Sequence, residues 1–313
     1  MPRTPLFAVV ALLAIAAVPS AGAVAKGEER VLVVLATSGP RPYSVADVER
    51  TIHQADMFFR TSSFGQVKLN VDVTPWLAAF NANPGCGATN TRSLEAVVTP
   101  ARIAADRAGF DAAHYDDVIY TIADSHCGFH GATWGHEVVL TTEPNVQLVV
   151  HELGHAFGLG HAQSSACADD PVRCGLDDTG DSLSPMGSGL LDFSAYEKFV
   201  LGWIPPQPHV TAAKQYVLAP PTAKTALAQA LLVETEQGAW WIEYRSQPFR
   251  GLLFRLVDAR QLDSPFAPPA VLIDRPTKAR RPWVARGESY RLPGSFRVTL
   301  MRSGTARATV RFR

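Results

Sequence analysis

The stretch His151-Glu152-Leu153-Gly154-His155-Ala156-Phe157-Gly158-Leu159-Gly160-His161 decides how this chain is read. It matches H-E-x-x-H-x-x-G-x-x-H at every fixed position. With ordinary residue frequencies, a chance match in a chain this long is on the order of 10⁻⁵. On a helix, residues four apart share a face, so His151 and His155 can aim both imidazoles at one cation. Glu152 sits one step round, close enough to meet a water held there without being a ligand. Val146, Val149, Val150, Leu153 and Phe157 form the opposite stripe, which should hold the helix against a sheet. Gly158 has no Cβ and can take positive φ, so the helix can stop there and turn back to bring His161 in as a third ligand. Three neutral imidazoles leave a fourth position for water, the arrangement of a catalytic rather than a structural Zn2+ site. Such an ion lowers the pKa of its water from about 15.7 towards roughly 7, and Glu152 is placed to take the proton.

Upstream, the apolar run Arg30 to Ala36 predicts a buried strand. Ser44 can cap a helix whose stripe is Val45, Val48, Ile52, Ala55 and Phe59. Gln66 to Val73 alternates as a strand, Thr91 to Gly109 reads as a helix interrupted by Pro100, and Asp117 to Ala123 and Glu137 to Thr141 read as further strands. The alternation of strand and helix argues for an α/β layer arrangement. After Trp203 the texture changes. Pro205-Pro206, Pro208 and Pro220-Pro221 punctuate the chain. Short β-like runs follow at 231–235, 239–244, 252–257 and 271–273, and a closing hairpin, Phe296 to Arg302 and Thr305 to Phe312, turns at Ser303-Gly304. The expected division is a leader over 1–25, a catalytic domain over 26–208 and a small all-β, sandwich-like domain over 209–313.

The long motif, followed by Asp181-Ser182-Leu183-Ser184-Pro185-Met186-Gly187, resembles a metzincin zinc endopeptidase with its Met-turn. Within that clan the chain is most similar to the gametolysin-type group, through Glu197-Lys198-Phe199-Val200-Leu201-Gly202-Trp203, Phe58-Phe59 with Ser63-Phe64-Gly65, and Trp241-Ile242-Glu243-Tyr244-Arg245. The resemblance covers most of residues 30 to 260. It implies a twisted mixed sheet, an active-site helix and a Met-turn subdomain. It makes His151, His155 and His161 the Zn2+ ligands, Glu152 the general base and Met186 a hydrophobic floor beneath the metal. It also implies that Val138, Val139 and Leu140 form the edge strand along which an extended peptide binds. Ser188 stands where some metzincins carry Tyr, and Tyr196 is the tyrosine available nearby.

Lys plus Arg balance Asp plus Glu at 29 each, so the chain lacks the basic excess that nucleic-acid binding favours. Met1 to Ala25 reads as a secretory signal. Arg3 precedes an apolar run from Leu6 to Val18, too short for the roughly 20 residues of a bilayer span, and A-x-A cleavage patterns follow. The protein is therefore expected to be secreted or periplasmic, with no transmembrane segment and too little chain before the first strand for a cysteine-bearing prodomain. An even count of cysteines fits that compartment. Of three possible pairings, Cys86–Cys127 with Cys167–Cys174 is favoured, because the latter closes a short loop.

Asp124, His126, Cys127, His130 and His136 could hold a second metal, but their spacing fits a polar loop better. Asp169, Asp170, Asp177, Asp178 and Asp181 could take Ca2+, but they lack the alternating D-x-D-x-D-G pattern. Arg275, Lys278, Arg280, Arg281, Arg286, Arg297, Arg302, Arg307, Arg311 and Arg313 make the C-terminal part basic, which suits cell-wall or glycan contact as well as a solvated face. The leading reading is a secreted zinc endopeptidase acting on extended protein or peptide substrates. Its rivals are a zinc-stabilised cell-surface or cell-wall binding protein of the same fold, and a zinc amidase acting on cell-wall cross-links. Glu152 argues against the binder, which has no need of a carboxylate there.

Overall fold

The computed structural model describes residues 26–82, 84, 91–123, 127–167, 171, 175–258, 266–274, 276–277 and 281–313. The leader expected over 1–25 lies outside the described residues, as do Cys86, Asp124, His126, Asp169, Asp170 and Cys174.

Strand β1 (Gly27–Thr37) is buried from Val31 onward because its two faces serve two cores. Val31, Val33 and Leu35 face one cluster, and Leu32, Val34 and Ala36 face another. Helix α1 (Val45–Ser62) starts at Ser44 with a capping box, in which the Ser44 hydroxyl accepts from the Asp47 amide at 3.1 Å. Its expected stripe of Val48, Ile52, Ala55 and Phe59 enters the first cluster. Phe59 alone meets Phe157, Phe193 and Trp203.

Strand β2 (Val67–Val73) and the short β3 (Leu77–Ala78) follow. Helix α2 (Thr91–Arg107) runs through Pro100 without the expected interruption. Its buried face of Leu94, Val97, Val98, Ala101 and Ala105 packs on β1 and holds both halves in line, which outweighs the one hydrogen bond that Pro removes.

Strands β4 (Asp117–Ile122), β5 (Gly131–Trp134) and β6 (Glu137–Leu140) lead into helix α3 (Val146–Ala156). The sheet runs β2-β1-β4-β6-β5, with β3 beside the end of β1. All its pairs are parallel except β5, which is antiparallel to β6. The expectation for Val138, Val139 and Leu140 is corrected here. They lie on β6, an inner strand, and β5 is the edge. The physical reason is a two-residue hairpin at Gly135-His136, with Gly135 at φ 59°, which folds β5 onto the outside of β6.

The second half consists of β7 (Ala162–Ser165), α4 (Ala195–Val200), β8 (Gln215–Leu218), β9 (Ala230–Thr235), β10 (Gly238–Arg245), β11 (Gly251–Val257), β12 (Ala270–Ile273), β13 (Ser289–Arg291), β14 (Arg297–Ser303) and β15 (Ala308–Phe312). These strands form two sheets, β7-β12-β11-β10-β9 and β13-β14-β15-β8. The sheets pack face to face through Trp240, Ile242, Phe254, Leu256, Tyr290, Leu300, Val310 and Phe312, the sandwich expected for this region. The boundary expected at 208 does not isolate it. Strand β7 follows the histidine motif directly, yet it pairs in parallel with β12 from Ala162↔Ala270 to Ser165↔Ile273. The other face of the β10–β11 sheet packs on α4 through Trp241, Tyr196 and Ile204. Among the described residues no helix is long and apolar enough to cross a membrane. Cys127 and Cys167 each take part in a disulfide; the expected partners Cys86 and Cys174 lie outside the described residues.

Candidate metal centre

Helix α3 begins at Asn145, whose side-chain carbonyl accepts from the Leu148 amide at 3.0 Å. It ends at Phe157, and Gly158 follows at φ +93°. The Leu159 amide then donates back to the Gly154 carbonyl at 2.9 Å, and the chain turns so that His161 returns beside the helix. His151, His155 and His161 come together as a result, with ring centroids 4.8 to 5.3 Å apart. Their ligand-capable nitrogens all lie within 4.8 Å of one another. Among the described residues no other grouping of His, Cys, Asp or Glu does this.

Each ring is held through Nδ1. His151 Nδ1 is 2.9 Å from the Pro185 carbonyl, His155 Nδ1 is 2.7 Å from the Leu159 carbonyl, and His161 Nδ1 is 2.7 Å from Asp178 Oδ2. A carbonyl only accepts, so Nδ1 of His151 and of His155 carries the proton and Nε2 keeps its lone pair. Those two Nε2 atoms face each other at 3.2 Å. Burial, reinforced by neighbouring imidazoles, pushes His155 down to about 3 and lowers His151, so both rings are neutral. This donor set fits a divalent cation such as Zn2+.

Glu152 is 4% exposed. Its Oε2 accepts from the Thr133 hydroxyl at 2.7 Å, and its carboxyl lies against the Cα of Gly131 on β5. Burial lifts its pKa to about 7, against the opposing pull of Thr133. The three histidines and Glu152 line a cleft of about 610 Å³, walled on one side by Gly131 to Thr133. Phe266, Ala267 and Pro269 form the other wall, and the Phe266 ring lies 4.9 Å from that of His155. The Ala267 amide donates to the Gly158 carbonyl at 2.8 Å, which ties this wall to the turn that delivers His161.

Met186 is fully buried beneath the helix at Gly154, where a Cβ would lie 2.3 Å from its Sδ. Its loop is fixed by Asp181, whose Oδ1 accepts from the Leu183 and Ser184 amides at 2.9 and 3.2 Å. Asp181 Oδ2 in turn receives Arg255 Nε at 2.9 Å. Arg255 Nη1 reaches Glu243 at 2.9 Å, and Glu243 pairs with Arg245 at 2.8 Å. Lys198 and Asp192 continue this buried array at 2.7 Å. Charges buried to this degree persist only when paired. Here the pairing joins the β10–β11 sheet to the loop whose Pro185 carbonyl orients His151.

Other expected site residues are placed differently. Asp178 and Asp181 do not share a cation, since one holds His161 and the other Arg255. His136 meets Asp117 at 2.9 Å, at the opposite end of β5 from His130, so the two do not form a second metal cluster. The Tyr196 hydroxyl donates to the Pro268 carbonyl at 2.8 Å and does not line the cleft. Sequence reading missed Gly131, Thr133 and Phe266, and it offered Asp178 as a calcium candidate rather than as the partner of His161. Only Gly131-Ala-Thr-Trp, with a Gly-His turn after it, offered a local signal, that of a hairpin.

No protein-family description matches this chain, and no curated protein matches it. Among solved structures, archaemetzincin from Methanopyrus kandleri aligns over 60% of this chain and 97% of its own, at 19% identity and a TM-score of 0.31. A chain in a structure of a chaperone–substrate complex aligns over 55% of this chain at 15% identity and a TM-score of 0.34. This protein spans 30% of that chain's length. Likenesses this slight assign neither fold nor activity, and the centre stands on its own geometry.

Proposed function

We propose that this protein is a secreted zinc-dependent endopeptidase of metzincin type. The observation that carries the reading is a buried carboxylate, Glu152, set beside three convergent neutral imidazoles on the wall of an open cleft. His151, His155 and His161 would hold the cation, each ring being oriented through its Nδ1 by Pro185, Leu159 or Asp178. A bound Zn2+ supplies Lewis-acid polarisation of the scissile carbonyl and a more acidic water. Glu152 accepts the proton of the attacking water at a carboxylate oxygen and delivers it to the leaving amine. Thr133 keeps that carboxylate turned into the cleft, and its own proton stays on Oγ1. The free edge of β5, next to Glu152, pairs with the backbone of an extended substrate. Met186 packs under the ligand helix and keeps the floor dry.

A purely zinc-stabilised binding protein has no use for Glu152, whose burial is unfavourable to its charged form. The test is Glu152→Gln, measured by zinc content and by hydrolysis of casein. The expected result is parental zinc with turnover reduced by several orders of magnitude, on the order of the 10²–10⁴-fold or more ascribed to a positioned base. Parental digestion by the variant overturns the reading. In parallel, His161→Ala should lose zinc, and an unchanged zinc content removes His161 from the ligand set.

A further inference from the structure

The β13-β14-β15-β8 sheet buries Tyr290, Val298, Leu300, Val310 and Phe312 on its inner face. Strand alternation therefore sends Arg291, Arg297, Arg311 and Arg313 to the outer face, and the bulge between Leu300 and Arg302 turns Arg302 to the same side, opposite Thr309. We propose that this outer face docks the protein on an anionic lipid bilayer. The inference is independent of the metal centre.

Three of the arginines form one row across three strands. Arg291 lies directly opposite Arg297. Arg297 and Arg313 exchange backbone hydrogen bonds of 2.8 and 3.0 Å. In the neighbouring row Arg311 lies opposite Thr299, and beyond it Arg302 faces Thr309. The four strands contain no Asp or Glu. Like charges placed opposite one another across strands are unfavourable, and here nothing offsets them: among the described residues, none of the five has an acidic partner. Elsewhere several surface cations do have acidic partners, as in Arg30–Asp116, Arg50–Asp47, Lys68–Glu28, Arg102–Glu137 and Arg281–Glu288. Residues 275–313 carry eleven Lys and Arg against a single Glu, in a chain whose net charge is zero.

The arrangement favours a plane over a thread. Strands are about 4.8 Å apart and residues advance about 3.4 Å along each, so the five side chains spread over a patch on the order of 10 by 15 Å. A bilayer presents phosphates to all five at once. A single extended polyanion follows the row of Arg291, Arg297 and Arg313 and leaves Arg302 and Arg311 unused. The guanidinium fork suits phosphate oxygens, and the neutral residues between, Ser289, Thr299, Thr309 and Gln215, are small or polar enough to let a flat surface approach.

The test is cosedimentation of the protein with vesicles of mixed phosphatidylglycerol and phosphatidylcholine, with vesicles of phosphatidylcholine alone, and, as a soluble-polyanion arm, retention on heparin. The expected result is binding to the anionic vesicles only, weakening as salt shortens the Debye length below about 10 Å. Arg297→Gln, Arg311→Gln and Arg313→Gln combined should weaken that partitioning by about a hundredfold. The melting temperature should stay unchanged or rise, because the row of like charges is relieved. The charge-matched control Arg41→Gln, Arg50→Gln and Lys68→Gln should stay within about threefold of the parent. The proposal is overturned by equal binding to neutral vesicles, by undiminished binding of the triple variant, or by an equal loss in the control. It is overturned equally by retention on heparin at salt concentrations that release the vesicles.

Discussion

Gly131→Ala separates the role assigned to Glu152 from metal binding without touching any ligand. A Cβ at position 131 lies 2.4 Å from Glu152 Oε1, 2.8 Å from Cδ and 2.9 Å from Cγ, whereas ordinary contact begins at 3.4 Å. The carboxylate must therefore move by about 1 Å, and a displacement of that size costs about 10²-fold in turnover, or about 2.7 kcal/mol in the barrier. Glu152 is buried and bonded to Thr133, so it cannot swing freely into solvent. Overpacking of this kind costs about 1–3 kcal/mol of stability. The three histidines keep their Nδ1 partners, so zinc content should match the parent. Thermal melting, elemental zinc and kcat with KM on an internally quenched peptide read the three effects separately. Adding Glu152→Gln to Gly131→Ala should cost much less than it does in the parent, since the two changes act on one group. A zinc-replete, folded Gly131→Ala protein with parental kcat refutes the reasoning.

Asp178→Ala removes the carboxylate that orients His161 and should weaken zinc affinity by about 10–100-fold, measured by chelator competition; an unchanged affinity makes that contact incidental. Arg255→Met leaves Asp181 and Glu243 buried without their shared cation and should cost about 3–5 kcal/mol in urea unfolding, whereas a loss below about 1 kcal/mol would assign the array no structural weight. Glu243 is fully buried, yet Arg245, Arg255 and the Ala195 amide outweigh desolvation and hold its pKa at about 2. Its folded value thus lies below the unfolded value of about 4.3. Its contribution is complete above about pH 5 and disappears as pH falls through about 2. The stability gap between parent and Glu243→Gln should be constant above about pH 5 and narrow from there towards about pH 2, and a gap that stays constant throughout counts against this assignment.

Much of the centre was legible because its geometry is local. The four-residue spacing of His151 and His155, and the freedom of Gly158 to take φ +93°, are properties of a few consecutive residues. The stripe of α1 was legible for the same reason. What escaped depends on partners distant in the chain. Strands β5 and β7 are four residues each, too short for an alternation to stand out. Asp178 is seventeen positions from His161, across a loop whose path no periodicity encodes. The run at 239–244 was legible as a strand, but not that Trp240, Ile242 and Tyr244 would face the sandwich core while Trp241, Glu243 and Arg245 face the other way. Which set would be paired with charge depended on the loop under the helix. The Pro-rich passage after Trp203 suggested a boundary, but it is stitched in place. The Gln207 side-chain Oε1 accepts from the Gln229 and Ala230 backbone amides at 2.7 and 3.0 Å, and the chain crosses there without separating two units.

The parallel pairing of β7 with β12 has a consequence for timing. Ala162 meets Ala270, a partner that leaves the ribosome about a hundred residues later, or about 5–20 s at ordinary synthesis rates. Until then the segment just after His161 has a bare flank, and Phe266 and Ala267 are not there to close the cleft. A nascent chain therefore carries all three imidazoles well before it carries a finished cleft. The fold itself postpones the competence of the centre until the distant wall has arrived.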